Sequence, residues 1–333
     1  MAKIPVGQII QRYKSAKAKK DNWESVYEDC YRYALPNRNL YEGYYEGGVV
    51  GQNKMPDVFD STAIDSTQKF ANRIQSGLFP PQTNWCKLEP GNDIPEEAQQ
   101  DVTQVLEMYS DKMFSVIRNS NFDLAMGEFL LDLCVGTGVM LIQPGDEDMP
   151  IRFTTIPMYL VCLEEGAHGQ VENVYRRMRC RAEQIQVMYP DAKLNNTLQQ
   201  CVTDTPTKEI ELLEATIKDV ETGFYYYCVI YEKEKYKLVD RQLNSSPWVV
   251  SRYMKAAGEV YGRGPLTVAI PDIKTLNKVK ELLLKNASLA IAGVYTAADD
   301  GVLNPNTMVL KPGAIIPVAR NGGPQGESLR PLQ

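Results

Sequence analysis

The stretch Gly258-Glu-Val-Tyr-Gly-Arg-Gly-Pro-Leu-Thr-Val-Ala-Ile-Pro-Asp-Ile-Lys-Thr-Leu-Asn277 decides how this chain is organised. Gly258, Gly262 and Gly264 permit backbone angles that other residues avoid, and Pro265 fixes its own φ. Pro271 with Asp272 suits a first helical turn. The stretch reads as a glycine-rich hinge that aims a helix, starting near Leu266 or Asp272 and running to about Ala292. A joint of this kind positions a rod and is not a catalyst.

The rod has two faces. At roughly 100° per residue from Lys274, Lys278 falls near 40° and Lys285 near 20°. Leu276, Val279, Leu283, Ala287 and Ala290 fall between about 140° and 220°. A lysine face thus opposes an apolar face, with Glu281 at the edge of the basic side near 340°. One reading makes the lysines a solvated face. The other sets them against a polyanion, because lysine is a flexible point charge that attracts phosphate without bidentate geometry.

Upstream, the texture changes once. Val6 to Leu35 reads as a mostly polar helix stopped by Pro36, followed by a Tyr, Asn and Gly segment from Asn37 to Met55. Asp57 to Phe79, Asp93 to about Ser120, and Asp123 to Val135 are expected to be helices, with Trp85 to Leu88 a short strand. From Val139 short β segments take over: 139–143, 151–155, 159–163 and 171–179, with a small helix near 182–189. Segments 210–217, 224–231, 236–243 and 248–253 are expected to form one antiparallel meander. Helices, then strands, then one long helix make an α+β chain, helical over 1–135 and mainly β over 139–254. After the rod, residues 293–320 read as a small hairpin-like β module, and 321–333 as a flexible end.

Composition narrows the function. The 333 residues are 44% hydrophobic and 23% charged, an ordinary globular balance, and the net charge is −6. An acidic chain does not grip nucleic acid over its whole surface, so any DNA contact is confined to a local stripe. The seven cysteines contain no CxxC and His168 is the only histidine. That excludes the usual zinc frameworks and gives no disulfide pattern. The N-terminus lacks a signal-peptide core and no run reaches a membrane span, so no membrane partner is expected.

Candidate chemistry is thin, and no cofactor or metal is expected. Gly136-Thr-Gly138 lacks the Lys-Ser/Thr of a phosphate loop and precedes a strand, so it reads as a tight turn. Asp132 and Cys134 have no histidine near them in sequence. Glu96-Glu97 suits a helix N-terminus and Asp146 to Asp148 a solvated turn. Arg176-Arg-Met-Arg-Cys-Arg181 alternates across a strand, which suits ion pairing across an interface or a solvated strand face better than a continuous nucleic-acid patch.

Asp60-Ser-Thr62, Leu78-Phe-Pro-Pro81 with Trp85, Ser120-Asn-Phe122, Gly136-Thr-Gly138, Gly258 to Pro265 and Pro271 to Asn277 occur in an order that resembles the head-to-tail connector, or portal, proteins of T7-like short-tailed bacteriophages. The resemblance runs over nearly the whole chain, though no single segment is decisive. It implies a non-enzymatic homo-oligomeric ring, usually twelve subunits, at one capsid vertex of a virion assembled in the host cytoplasm. Double-stranded DNA is packaged and ejected through it, and terminase, tail adaptor, capsid and scaffold proteins meet it. On that reading residues 1–257 are the wing, 258–292 the hinge and first stem helix, and 293–320 a clip. Lys274, Lys278 and Lys285 then face the channel, Leu276, Val279, Leu283 and Ala287 pack subunits together, and Gly258, Gly262, Gly264 and Pro265 form the hinge. The family pattern continues into a second stem helix and a crown, which this sequence does not contain. Other readings are a different virion protein, such as an adaptor or scaffold, or an enzyme acting on nucleic acid.

Overall fold

The computed structural model describes residues 4–41, 54–292, 295–297 and 329–331. Two compact units divide within the long helix, Met1–Ile273 and Lys274–Gln333. The first opens with α1 (Val6–Ala34), α2 (Thr62–Leu78), α3 (Glu96–Arg118) and α4 (Phe122–Val135). Strands β1 (Thr137–Pro144), β2 (Ile151–Thr155), β3 (Val161–Glu165) and β4 (Val171–Arg181) follow. Next come α5 (Gln184–Met188), α6 (Asn196–Asp204), β5 (Glu209–Lys218), β6 (Tyr225–Tyr231), β7 (Tyr236–Leu243) and β8 (Trp248–Arg252), and then α7 (Pro265–Ala292). The α+β class expected from the sequence is the class observed.

A five-stranded antiparallel sheet, β3-β4-β5-β6-β7, is buried on both faces by the period-2 alternation of its strands. Leu213, Ala215, Ile217, Cys228 and Ile230 pack against Ile9, Ile10, Tyr13 and Ala16 of α1. Their neighbours Ile210, Leu212, Tyr227 and Val229 turn to the other side, where Ile185 of α5 and Leu198 of α6 cover them. Each fully buried side chain of this kind contributes about 1.5–3 kcal/mol. The helix α6 has no counterpart in the sequence reading. Its start is set by Asn195, whose Oδ1 accepts from the Leu198 amide at 2.9 Å.

The expected four-strand meander breaks at its last member. β8 leaves β7 and pairs with β1, in a separate sheet of order β2-β1-β8 with Val139 opposite Val250. Short connections suggest pairing in sequence order, whereas β8 finds its partner more than a hundred residues upstream. The Trp248 indole ties the two sheets together by donating to Thr216 Oγ1 on β5 at 2.9 Å.

Two further expectations give way. Trp85 to Leu88 is not a strand. The Trp85 ring is wedged among Phe79, Phe114 and Phe122, with centroids 5.1 to 5.9 Å away, and the Leu88 amide donates to Ser110 Oγ of α3. The second helix begins at Thr62, not Asp57, because Asp60 Oδ1 takes the Thr62 amide at 2.9 Å and closes a turn ahead of it. Of the tyrosine segment, Tyr41 packs between Tyr31 and Tyr159, at 5.8 and 4.8 Å. Tyr44 and Tyr45 lie outside the described residues.

In the second unit Leu329–Pro331, read from the sequence as part of a loose end, is a strand pairing antiparallel with Tyr295–Ala297. The other β segments expected between 298 and 320 lie outside the described residues.

Candidate functional site at the glycine joint and the long helix

The joint before α7 is a close approach of two backbones. A Cβ at Gly262 would stand 2.3 Å from the Gly136 carbonyl oxygen, one at Gly264 2.1 Å from the Cys134 oxygen, and one at Gly136 2.1 Å from the Gly262 oxygen. Gly136 ends α4 and Thr137 starts β1, so the two Gly-x-Gly sequences noted separately in the chain meet here. The close approach lets Gly264 N donate directly to Val135 O at 3.1 Å, and Gly262 N donates to the Thr137 side-chain Oγ1 at 2.9 Å. Gly258 differs: its φ is +80° and nothing would crowd a Cβ there, so the left-handed turn alone calls for glycine.

Aromatic packing holds the joint in place. Tyr261 is fully buried, and its hydroxyl accepts from the Leu163 amide at 3.1 Å. Trp23 and Tyr27 of α1 lie 6.3 Å from its ring, and the Tyr27 hydroxyl donates to Gly262 O at 3.2 Å. A charged clasp adds to this. Arg252 Nη1 and Lys255 Nζ reach Glu165 Oε1 at 3.1 and 2.5 Å, and both side chains also donate to the Gly169 carbonyl. The Lys255 hydrogen bond, with Arg252 beside it, holds the Glu165 carboxyl below its ordinary range. No sequence signal marks this clasp, because Glu165 and Arg252 are 87 positions apart.

Behind the joint lies a buried polar knot. Asp132 is fully buried and accepts from the Tyr31 hydroxyl at 2.9 Å and from Arg38 Nε and Nη2 at 3.2 and 2.7 Å. Burial pushes its carboxyl up, and Arg38 pulls back. Burial pushes the Cys134 thiol up to about 11, so it is no thiolate near neutrality. Both residues noted beside Gly136 are therefore structural. The arginine cluster is consumed inside the fold: Arg176 pairs with Glu214 at 3.4 Å, and Arg177 and Arg179 pair with Glu211 at 3.1 and 2.8 Å across the β4-β5 ladder. Among the described residues no group of three His, Cys, Asp or Glu is placed to hold a metal.

From Lys274 onward, α7 presents the residues expected to be functional. Leu276, Val279 and Leu283 are 42, 53 and 62% exposed, and Ala287 is exposed as well. On the basic side Glu281 accepts from Lys278 Nζ at 2.8 Å and from Lys285 Nζ at 2.5 Å. These two hydrogen bonds, that of Lys278 first, hold the Glu281 carboxyl down to about 2. The lysine stripe is thus a Lys-Glu-Lys clamp along one helix face, with one of its positive charges neutralised from within. No helix among the described residues is long and apolar enough to cross a membrane.

The family model for the bacteriophage head to tail connecting protein matches residues 6–333. The chain belongs to this family of head-to-tail connecting proteins. Among curated relatives it is 20% identical over 282 residues to the "Probable portal protein" of Bordetella phage BPP-1, covering 80% of this chain and 50% of that one. It is 19% identical over 300 residues to the "Portal protein" of Enterobacteria phage T3, covering 86% of this chain and 53% of that one. This head-to-tail connecting protein therefore spans about half the length of the curated relatives it matches.

Proposed function

We propose that this connecting protein is a subunit of a ring, a dodecamer by the family resemblance, at one vertex of a phage capsid. Double-stranded DNA is packaged and ejected through the ring, and terminase, tail adaptor, capsid and scaffold proteins dock on it. The protein does no chemistry of its own. It is a virion component, assembled with the capsid in the host cytoplasm. The observation that carries the reading, beside family membership, is the exposed apolar face Leu276, Val279, Leu283 and Ala287 on a helix. Helices rarely leave such a stripe in water, and adjacent copies of α7 packed side by side would cover it.

With that face turned to neighbours, Lys274, Lys278 and Lys285 look inward at the DNA. Lysine contacts to phosphate are non-specific and weaken with salt, which suits a wall that DNA must slide past. Gly258, Gly262, Gly264 and Pro265 then form the junction between wing and stem.

Electron microscopy of the purified full chain, with native mass measurement, tests the proposal. Closed rings with a central hole of duplex width are expected. A protein that stays monomeric at high concentration, or assembles without a hole, points instead to an adaptor or scaffold role.

A further inference from the structure

Helix α3 has two apolar sides. One is packed and holds Ser110 and Phe114, both buried, with Leu106 beside them. The other carries Ala98, Val102, Val105, Tyr109, Lys112 and Val116, at successive spacings of four, three, four, three and four. That is the heptad rhythm of a helix–helix seam, interrupted once by a lysine. At roughly 100° per residue, all six fall within about 60° of Val105, and Asp101 near −40° shares a flank with Lys112 near −20°. The seam is open at its centre, where Val105 is 48% exposed, Tyr109 56% and the adjoining Met108 62%. Away from it the charges of α3 are taken: Glu107 pairs with Lys87 at 2.8 Å, and Asp111 and Arg118 bond Asn84 at 2.9 and 2.6 Å. Asp101 and Lys112 are exposed and have no ion-pair partner among the described residues. They stand eleven residues apart, about 16 Å along the helix, too far to meet each other.

We propose that this seam docks on the same seam of a second copy, the two α3 helices running antiparallel about a two-fold axis at the level of Glu107. Such an axis puts the same flank of both helices on one side, so Asp101 of each copy meets Lys112 of the other, while Val105 meets Tyr109. Parallel pairing would set lysine against lysine and aspartate against aspartate. The charges therefore fix the orientation and make the chain its own complement, and a single lysine within a seam fixes register at some cost in strength. Contact through one helix face per copy stays at the low end of interface size, under about 1,200 Å², so the pair is weak and reversible. Neighbours in a closed ring of more than two subunits meet through two different surfaces, whereas this contact is self-complementary. It is separate from ring closure and joins free subunits or whole rings.

The test is carbodiimide coupling of an equal mixture of isotopically heavy and light full chains. Peptide mass mapping should find Asp101 joined to Lys112 between heavy and light copies. Sedimentation velocity should show concentration-dependent pairing, weakened at least tenfold in Lys112→Glu and in Asp101→Lys, each of which sets like charges together. Mixing those two variants should restore pairing, because each carries the charge that the other attracts, and the Asp101→Lys, Lys112→Glu double variant should pair with itself. Both positions are exposed, so these variants keep the fold. Absence of a heavy–light link, equal pairing by Lys112→Glu, or no recovery on mixing overturns the proposal, as it would if the seam served a helix of another protein. Rings without the link refute this contact and leave the ring reading intact; the link without rings does the reverse.

Discussion

Replacing single glycines around the joint separates close backbone approach from backbone conformation. At Gly264 an added Cβ would lie 2.1 Å from the Cys134 oxygen and 2.6 Å from the Val135 carbonyl carbon, where ordinary contact begins at 3.4 Å. Neither atom is the end of a flexible side chain, so the joint itself must move. That movement strains the Gly264-to-Val135 and Gly262-to-Thr137 hydrogen bonds. Overpacking costs about 1–3 kcal/mol, and each buried hydrogen bond lost adds about 1 kcal/mol, so Gly264→Ala should cost about 3–5 kcal/mol. Gly258→Ala meets open space and suffers only its left-handed φ, about 1–2 kcal/mol. Gly77→Ala, within α2 with nothing nearby, should gain about 0.5–1 kcal/mol. At about 2–4 °C per kcal/mol for a unit of this size, thermal melting by circular dichroism resolves the three. A Gly264→Ala protein melting within about 2 °C of the parent, or a Gly258→Ala protein melting lower than it, refutes the close-approach argument.

Other perturbations follow from the same geometry. Arg38→Met should destabilise by about 3–5 kcal/mol, because Asp132 loses its counter-charge in a fully buried place and must stay ionised there or take up a proton, and adding Asp132→Asn should recover part of that loss in chemical denaturation. Glu165 has a folded pKa below its unfolded one, so its clasp stabilises above the ordinary glutamate range and is lost as pH falls through the depressed value. Glu165→Gln should then melt lower than the parent at pH 7, with the gap closing under acid; a gap independent of pH argues against the clasp. Under the channel reading, Glu281→Gln frees Lys278 and Lys285, and the log-log salt slope of duplex binding should steepen by about one, read by fluorescence anisotropy. Changing Lys274, Lys278 and Lys285 to Glu should abolish DNA retention in capsids, and normal packaging with that variant removes these lysines from the channel wall.

How far the sequence could be read depended on the range of the interactions. Helices α1, α3, α4 and α7 were legible because each carries its own punctuation, such as Pro36 after α1 and Pro95 before α3. Strands β5 to β7 were legible from their short connections, which carry Gly223 and the Glu232-Lys-Glu run. The partner of β8 was not, because nothing local distinguishes the fourth strand of a meander from a strand joining another sheet. At Trp85 the same aromatic signal that marks strands marked instead a ring cluster assembled from three helical segments. The arginine run was half legible: its alternation was plain, and the matching acids Glu209, Glu211 and Glu214 stand in β5, but only the β4-β5 register brings them opposite. Both Gly-x-Gly sequences were visible, yet their contact is a fact of the fold alone.

That contact has a mechanical consequence. Where two elements meet through side chains, rotamers can change and absorb a small displacement. Where Gly262 and Gly264 meet the end of α4, peptide planes touch directly and no rotamer lies between them. A tilt imposed on the first turns of α7 is therefore passed on directly to α4, and through the Tyr31 hydroxyl on Asp132 to the last turn of α1. The joint that looked like a point of compliance acts as a gear tooth.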